Sequence, residues 1–174
     1  MKRLLITFAA TLIAIAVMAQ TAEEYYQKGR NAYADQNFTE GFTYFEKAGN
    51  MGHVEAQYIL GLFYKHGKGG VEKNMQKCLK WMEKAANQGK VDAQVDMGLF
   101  YSEGNVVPKD LKKAVYWFQK AADKGEADAQ YLLGACYYEG KGVPKDLKKG
   151  IELIRKAAAQ GHEDASALLK QLGY

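Results

Sequence analysis

The chain repeats itself about every 36 residues, and this feature restricts it to folds built from stacked copies of one unit. Three near-copies occupy residues 56–89, 93–125 and 129–161, and an incomplete copy begins at Ala165. A unit of this length buries its apolar face only against neighbouring units, so several must stand in a row. The repeat therefore predicts a solenoid.

Each copy has the pattern of two helices, which we call helix A and helix B. A glycine inside a helix costs about 1 kcal/mol relative to alanine, so we expect the one in helix A to allow close packing of helix B. A second glycine suits the left-handed position that ends a helix. An Asn or Asp then stands where a side-chain oxygen caps helix B. In chain order, the inner glycines are Gly61, Gly98 and Gly134, the terminal glycines are Gly67, Gly104 and Gly140, and the caps are Asn74, Asp110 and Asp146.

The first 19 residues are typical of a cleaved signal peptide. Two basic residues follow the initial methionine, and residues 4–19 are apolar apart from two threonines. Val17 and Ala19 occupy the small-residue positions that signal peptidase recognises, which predicts cleavage after Ala19. A membrane anchor is the alternative, but the apolar run is short for a span. We therefore expect a periplasmic or secreted protein.

Charge and cysteines point to no particular chemical partner. The formal net charge of +4 falls to +2 once the predicted signal peptide is removed, and lysines are interleaved with Asp and Glu through every repeat. This pattern is typical of solvated helix faces, so nucleic acid is not an expected partner. Cys78 and Cys136 lie two units apart, whereas a disulfide needs Cα atoms within about 7 Å. Each cysteine is expected to be a free thiol in a small core position.

No nucleophile or metal site stands out in the sequence. Ser102 and Ser166 are the only serines, and neither has a lysine three residues on, as an acyl-enzyme motif requires. His53, His66 and His162 do not lie at metal-ligand spacing, and we interpret them as surface residues. We therefore expect a protein that needs no cofactor or metal and is not an enzyme.

Three consecutive motifs carry a resemblance to a known family. They read Ala-x-x-x-Leu-Gly-x-x-Tyr, Gly-x-Gly-Val-Pro-x-Asp and Lys-Ala-x-x-Trp-x-x-Lys-Ala-Ala-x-x-Gly. On these motifs residues 53–164 resemble three Sel1-like repeats, while residues 20–52 are similar to a tetratricopeptide-like hairpin and residues 165–174 to a polar capping helix. The resemblance implies an all-α fold, a right-handed α-solenoid of antiparallel helix pairs. It also implies an adaptor that assembles other proteins.

By analogy with tetratricopeptide packing, one stripe of each helix A should line a concave surface. The stripe takes positions i, i+3, i+7 and i+10, and its exposed tyrosines would anchor a peptide or helix from another protein. The alternative is that these tyrosines pack against neighbouring repeats. The first positions are acidic, namely Glu23, Glu55, Asp92 and Asp128. The expected binding residues are Tyr26, Arg30 and Tyr33, then Tyr58, Leu62 and Lys65, then Val95, Leu99 and Ser102, then Tyr131, Ala135 and Tyr138.

The sequence thus predicts a monomeric, exported and non-catalytic scaffold that binds another protein or peptide. One alternative is a hydrolase acting on cell-wall or β-lactam substrates, although the paired cysteines of relatives linked to penicillin binding are absent here. An assay with nitrocefin or muropeptides tests that alternative. Another is a glycan-binding module whose tyrosines stack on sugars, which a pull-down with peptidoglycan tests. Membrane binding is not expected after signal cleavage.

Overall fold

The structure is a computed structural model that describes the backbone of residues 2–174 and the side chains of residues 14, 15 and 17–174. All regular structure in this described part is helical, which confirms the predicted all-α class. The helices are α1 (Lys2–Ala34), α2 (Phe38–Asn50), α3 (Val54–His66), α4 (Met75–Asn87), α5 (Val91–Glu103), α6 (Leu111–Ala122), α7 (Ala127–Glu139), α8 (Leu147–Ala159) and α9 (Glu163–Gln171).

The chain forms two compact units, Met1–Gln88 with α1 to α4 and Gly89–Tyr174 with α5 to α9. In the first unit each helix packs against the next one along the chain, and the same is true within the second unit. Because the loops are short, consecutive helices double back as αα-hairpins. These hairpins are the predicted pairs of helix A and helix B.

Local geometry confirms the predicted helix ends. The side chain of Asn74 accepts a hydrogen bond from the amide of Lys77 at 2.9 Å, and Asp110 and Asp146 cap α6 and α8 in the same way. These caps satisfy amides that have no partner inside the helix. The terminal glycines have left-handed φ angles, which are 68° at Gly67, 77° at Gly104 and 78° at Gly140.

The inner glycines of helix A lie directly against helix B, as predicted. An added Cβ at Gly98 would lie 2.3 Å from the ring of Phe118. In the first unit an added Cβ at Gly29 would lie 2.8 Å from the ring of Phe45. These distances are shorter than the favourable carbon–carbon contact of about 3.5–4.0 Å. Helix A and helix B can therefore pack this closely only because the glycine has no side chain. The same relation holds between Gly61 and Met82 and between Gly134 and Ile154.

A buried glutamine follows the alanine that begins each repeat, and the sequence analysis missed its role. Gln57 Nε2 donates a hydrogen bond to the carbonyl of Gly49 in the preceding hairpin at 3.0 Å. Gln88 Nε2 donates to Gln57 Oε1 at 2.7 Å, and Gln160 is bonded to Gln130 in the same way at 2.9 Å. The recurring Ala-Gln pair was the available signal, because a polar residue that recurs beside a core alanine in successive repeats indicates a buried hydrogen bond.

The predicted signal peptide falls within α1, which continues past Ala19 without a break. Residue 1 and the side chains of residues 2–13 and 16 lie outside the described residues, and they include most of the apolar run. Among the residues that the structure describes, no helix is long and apolar enough to span a membrane. Cleavage after Ala19 stays a prediction.

Candidate functional site

A cavity of about 560 Å³ opens between α1 and α3 of the first unit, and we call it the first-unit pocket. Four of the predicted binding residues meet in it. Its lining residues are Tyr26, Arg30, Tyr33 and Ala34 of α1, Phe45 of α2, Ile59, Leu62, Phe63 and His66 of α3, and Lys68 of the following loop. The pocket therefore joins helix A of one hairpin to helix A of the next.

Aromatic rings form the wall of the first-unit pocket. Phe45 and Phe63 are buried, with ring centroids 5.9 Å apart. Tyr33 lies above them with its centroid 6.0 Å from that of Phe63 and 4.9 Å from that of Phe38. Tyr33 is nevertheless 39% exposed. The wall is held by packed rings, whereas Tyr33 keeps surface available for a ligand.

The loop after α3 places Lys68 at the pocket. Gly67 ends α3, and the amide of Lys68 donates a hydrogen bond to the carbonyl of Phe63 at 3.1 Å. Gly69 has a φ of 68°, and an added Cβ there would lie 2.4 Å from the ring of Phe63. A side chain at residue 69 would push the loop off the ring, so this glycine keeps Lys68 beside the pocket.

A cavity of about 360 Å³ stands at the equivalent position of the second unit, and we call it the second-unit pocket. It holds three further predicted binding residues, Ser102, Tyr131 and Ala135. Several of its residues are smaller than their first-unit equivalents. The equivalent pairs, second unit first, are Ser102 and Tyr33, Phe118 and Phe45, Leu132 and Ile59, Ala135 and Leu62, Cys136 and Phe63, Glu139 and His66, and Lys141 and Lys68.

The remaining predicted binding residues are half-buried and line neither pocket. Val95 and Leu99 pack against the buried core of the second unit. The backbone of Tyr138 lies close to helix B, since an added Cβ at Gly150 would be 2.8 Å from its nitrogen. Tyr58 and Lys65 are also half-buried. The predicted stripe therefore consists of pocket residues and residues at the edge of the core.

His53 is not a surface residue, contrary to the sequence interpretation. Its side chain is 14% exposed and pairs through Nε2 with Glu23 at 2.9 Å. Its Nδ1 accepts a hydrogen bond from the amide of Ala56 at 3.2 Å, and its ring stacks on Tyr26 with centroids 4.2 Å apart. The imidazole is covered because it caps α3 while lying against α1 of the preceding hairpin.

The same arrangement recurs in the second unit. His162 is 12% exposed, caps α9, pairs with Asp128 at 3.3 Å and has its ring 4.7 Å from that of Tyr131. Both histidines follow the glycine that closes helix B, which was the available sequence signal. Tyr131 also packs against the buried core beside α9. Tyr131 and Tyr26 therefore both contact the next repeat, as the alternative interpretation of the stripe tyrosines expected. His66 is exposed, as expected.

The described residues show little catalytic chemistry. They contain no group of three or more His, Cys, Asp or Glu that could hold a metal ion. Cys78 and Cys136 are free thiols, the first buried and the second half-buried. Burial, followed by the charge of Glu139, raises the pKa of the Cys136 thiol. This disfavours the thiolate, which is the nucleophilic form.

The Sel1 repeat pattern matches the chain four times, at residues 14–53, 54–90, 91–126 and 127–162. The chain therefore belongs to the Sel1 repeat family, a family that typically provides protein-interaction scaffolds. The first match covers the stretch that we likened to a tetratricopeptide-like hairpin. It begins ahead of the predicted cleavage position.

Similar solved structures support the helical-repeat solenoid. The chain is 37% identical to a Sel1 repeat protein from Oxalobacter formigenes, with a TM-score of 0.69 over 73% of this chain and 95% of that one. It is 32% identical to c5321, a protective antigen of uropathogenic Escherichia coli strains, with a TM-score of 0.80 over 92% of this chain but 35% of that one. It is 30% identical to Helicobacter pylori cysteine-rich protein B, with a TM-score of 0.56 over 72% of this chain and 94% of that one. A search of curated proteins gave no significant match.

Proposed function

We propose that this protein is an exported, non-catalytic scaffold that holds a peptide or helix of another protein, with the first-unit pocket as its main anchor site. The predicted signal peptide supports export, and the description of one similar protein as a protective antigen suits it. The Sel1 repeat family supports the scaffold role, because its members are generally non-catalytic scaffolds.

The first-unit pocket is the observation that carries the proposal. It is a concave site of about 560 Å³ with a wall of aromatic and aliphatic side chains. Protein interfaces gain most of their binding energy where a large side chain fills such a pocket. Tyr33 and Leu62 are the best candidates to contact a ligand, because they are exposed or half-buried while Phe45 and Phe63 are buried.

Selection of random twelve-residue peptides on the purified protein tests the binding role. Binding of the selected peptides is then measured by fluorescence polarisation to the wild type and to a Tyr33→Ala, Leu62→Ala double variant. We expect the double variant to bind at least about tenfold more weakly, since it removes two anchor contacts.

The matched control is Tyr116→Ala. Tyr116 is 51% exposed on α6, contacts the ring of Trp117 and lines neither pocket. Its loss should leave the affinity unchanged. Peptides that bind the double variant as tightly as the wild type would contradict the proposed role of the first-unit pocket.

Export has a separate test. The protein is expressed in a bacterium, the envelope and medium fractions are separated from the cytoplasm, and its mass is measured in each fraction. The expected result is a chain that begins at Gln20 outside the cytoplasm. A full-length chain confined to the cytoplasm would contradict it.

A further inference from the structure

We infer that the first-unit pocket selects an acidic peptide segment that presents an aromatic or large aliphatic side chain. This inference rests on the proposed binding function and adds the chemistry of the partner. It comes from the charges around the first-unit pocket and from their contrast with the second-unit pocket.

Basic groups surround the apolar wall of the first-unit pocket. Arg30 stands on α1, Lys68 on the loop after α3, and His66, which is charged only when protonated, at the end of α3. None of the described residues that line this pocket is acidic. The guanidinium carbon of Arg30 lies 6.0 Å from the centroid of the Tyr26 ring. This contact holds the positive charge beside the apolar surface rather than away from it.

The charge of Arg30 helps to lower the pKa of Glu23, but the Glu23 carboxylate is already bonded to other side chains. Glu23 accepts a hydrogen bond from Gln27 at 2.6 Å and pairs with His53 at 2.9 Å. The hydrogen bond from Gln27, then the one from His53, and in smaller part the charge of Arg30 lower the pKa of Glu23. The Glu23 carboxylate is therefore directed at Gln27 and His53 rather than at Arg30.

The second-unit pocket has the same architecture without the same charge. Glu139 stands at the position of His66 and forms an ion pair with Lys141, the equivalent of Lys68. Lys141 is therefore paired within the chain, and the second-unit pocket, whose other cation is Lys109, has a lower net positive charge than the first-unit pocket. The pocket is also smaller, with alanine and serine where the first has leucine and tyrosine. The contrast marks the first-unit pocket as the one suited to an acidic ligand with a large side chain.

An occupant of this chemistry satisfies both parts of the site. An aromatic or branched side chain fills the space beside Tyr33 and Leu62, where burial of apolar area drives binding. Carboxylates on the flanking residues approach Arg30 and Lys68, which increases the rate of encounter and rejects basic competitors. Because these cations are exposed, their attraction should weaken as salt is added.

The test compares two charge reversals that change the net charge equally. The first is Arg30→Glu with Lys68→Glu, and the second is Lys109→Glu with Lys141→Glu in the second-unit pocket. A random twelve-residue peptide library is selected on the wild-type protein, and the enriched peptides are measured against both variants at low and at high salt. Thermal melting of each variant confirms that it is folded.

The inference predicts that enriched peptides carry Asp and Glu around an aromatic or branched aliphatic residue. It predicts at least a tenfold loss of affinity in the first variant, little change in the second, and weaker binding at high salt. Enriched peptides that are neutral or basic, need Tyr33 and Leu62, and ignore the first reversal would overturn the inference while leaving the proposed function intact. Peptides that bind without any dependence on Tyr33 and Leu62 would overturn both.

Discussion

Replacing Gly98 with alanine tests the claim that a missing side chain sets the spacing of the helix pairs. An added Cβ at this position would lie 2.3 Å from a ring carbon of Phe118. Contact between carbon atoms is favourable near 3.5–4.0 Å, so the ring must move by more than about 1 Å. Phe118 is 2% exposed and lies in a buried cluster with Ala114 and Leu133, which resist its displacement, although the ring also borders the second-unit pocket.

The magnitude follows from two opposing effects. Overpacking a well-filled core costs about 1–3 kcal/mol, and a ring displacement of this size belongs near the upper end. Alanine in place of glycine inside a helix returns about 1 kcal/mol. Gly98→Ala should therefore lower the free energy of unfolding by about 1–2 kcal/mol. That loss corresponds to a fall in Tm of roughly 2–8 °C for a chain of this size.

Gly61→Ala is the matched control. Its added Cβ would meet the sulfur and terminal methyl of Met82 at 2.9 Å. The end of a methionine side chain is flexible and moves at low cost, so the gain in helix propensity offsets the contact. We expect Gly61→Ala to stay within about 0.5 kcal/mol of the wild type.

Urea denaturation followed by far-UV circular dichroism, together with thermal melting, measures both variants. A second change, Phe118→Leu, should recover part of the loss in Gly98→Ala, because it removes the ring that the methyl group meets. The reasoning is refuted if Gly98→Ala is as stable as Gly61→Ala, or if Phe118→Leu adds its full cost on top of Gly98→Ala.

Three further changes test contacts between successive repeats. Gln57→Leu should destabilise the protein by about 1–3 kcal/mol in urea denaturation, because a buried carbonyl and Gln88 lose their partner; an unchanged midpoint would show that the buried bond is unimportant. His162→Ala should cost about 0.5–2 kcal/mol through the lost cap of α9, whereas His162→Asn should retain most of the stability; equal losses would exclude capping. The pKa of Glu23 is lowered by its bonds to Gln27 and His53, so its contribution to stability is present above the ordinary pKa of a glutamate and is lost as the pH falls through the lowered pKa. Tm profiles of Glu23→Gln and wild type should differ at neutral pH and converge in acid, and a constant difference would contradict this.

The repeat pattern predicted the helices and their ends well because those features are local. A side-chain oxygen such as that of Asp110 caps the helix that follows it, and a glycine such as Gly104 ends the helix that precedes it. Both depend on residues a few positions apart, so one sequence is enough to infer them. The close approach of helix B to Gly98 was also predicted, because a glycine recurs at this position in every copy, whereas the residue that meets it, Phe118, was not identified from the sequence.

Contacts between repeats were harder to predict. His53 has the sequence context of an exposed loop residue, yet it is covered by Tyr26 and Glu23 of the preceding hairpin. Its burial depends on which residues the neighbouring helix presents, and this changes from copy to copy. Lys90 and Glu126 occupy the same position in the next two repeats without a side-chain cap, so the histidine has no equivalent there.

The candidate site was predicted as a face and not as a pocket. Helical spacing placed Tyr33 and Leu62 on one stripe, and the structure brings them together in the first-unit pocket. Spacing contains no information about depth, which depends on side-chain volume at each equivalent position. Leucine at residue 62 and alanine at residue 135 differ in size, as do tyrosine at residue 33 and serine at residue 102. The charge of the first-unit pocket likewise depends on a difference between repeats, because His66 stands where the next two repeats have Glu103 and Glu139.

Methyl NMR shows directly whether a partner binds in the first-unit pocket, and it needs no substitution. A peptide selected on the protein is titrated into a sample labelled at Ile, Leu and Ala methyl groups. Binding in this pocket should shift the methyl signals of Ile59, Leu62 and Ala34 and leave those of Leu132 and Ala135 unaffected. Shifts at Leu132 and Ala135 with none at Ile59 and Leu62 would contradict it.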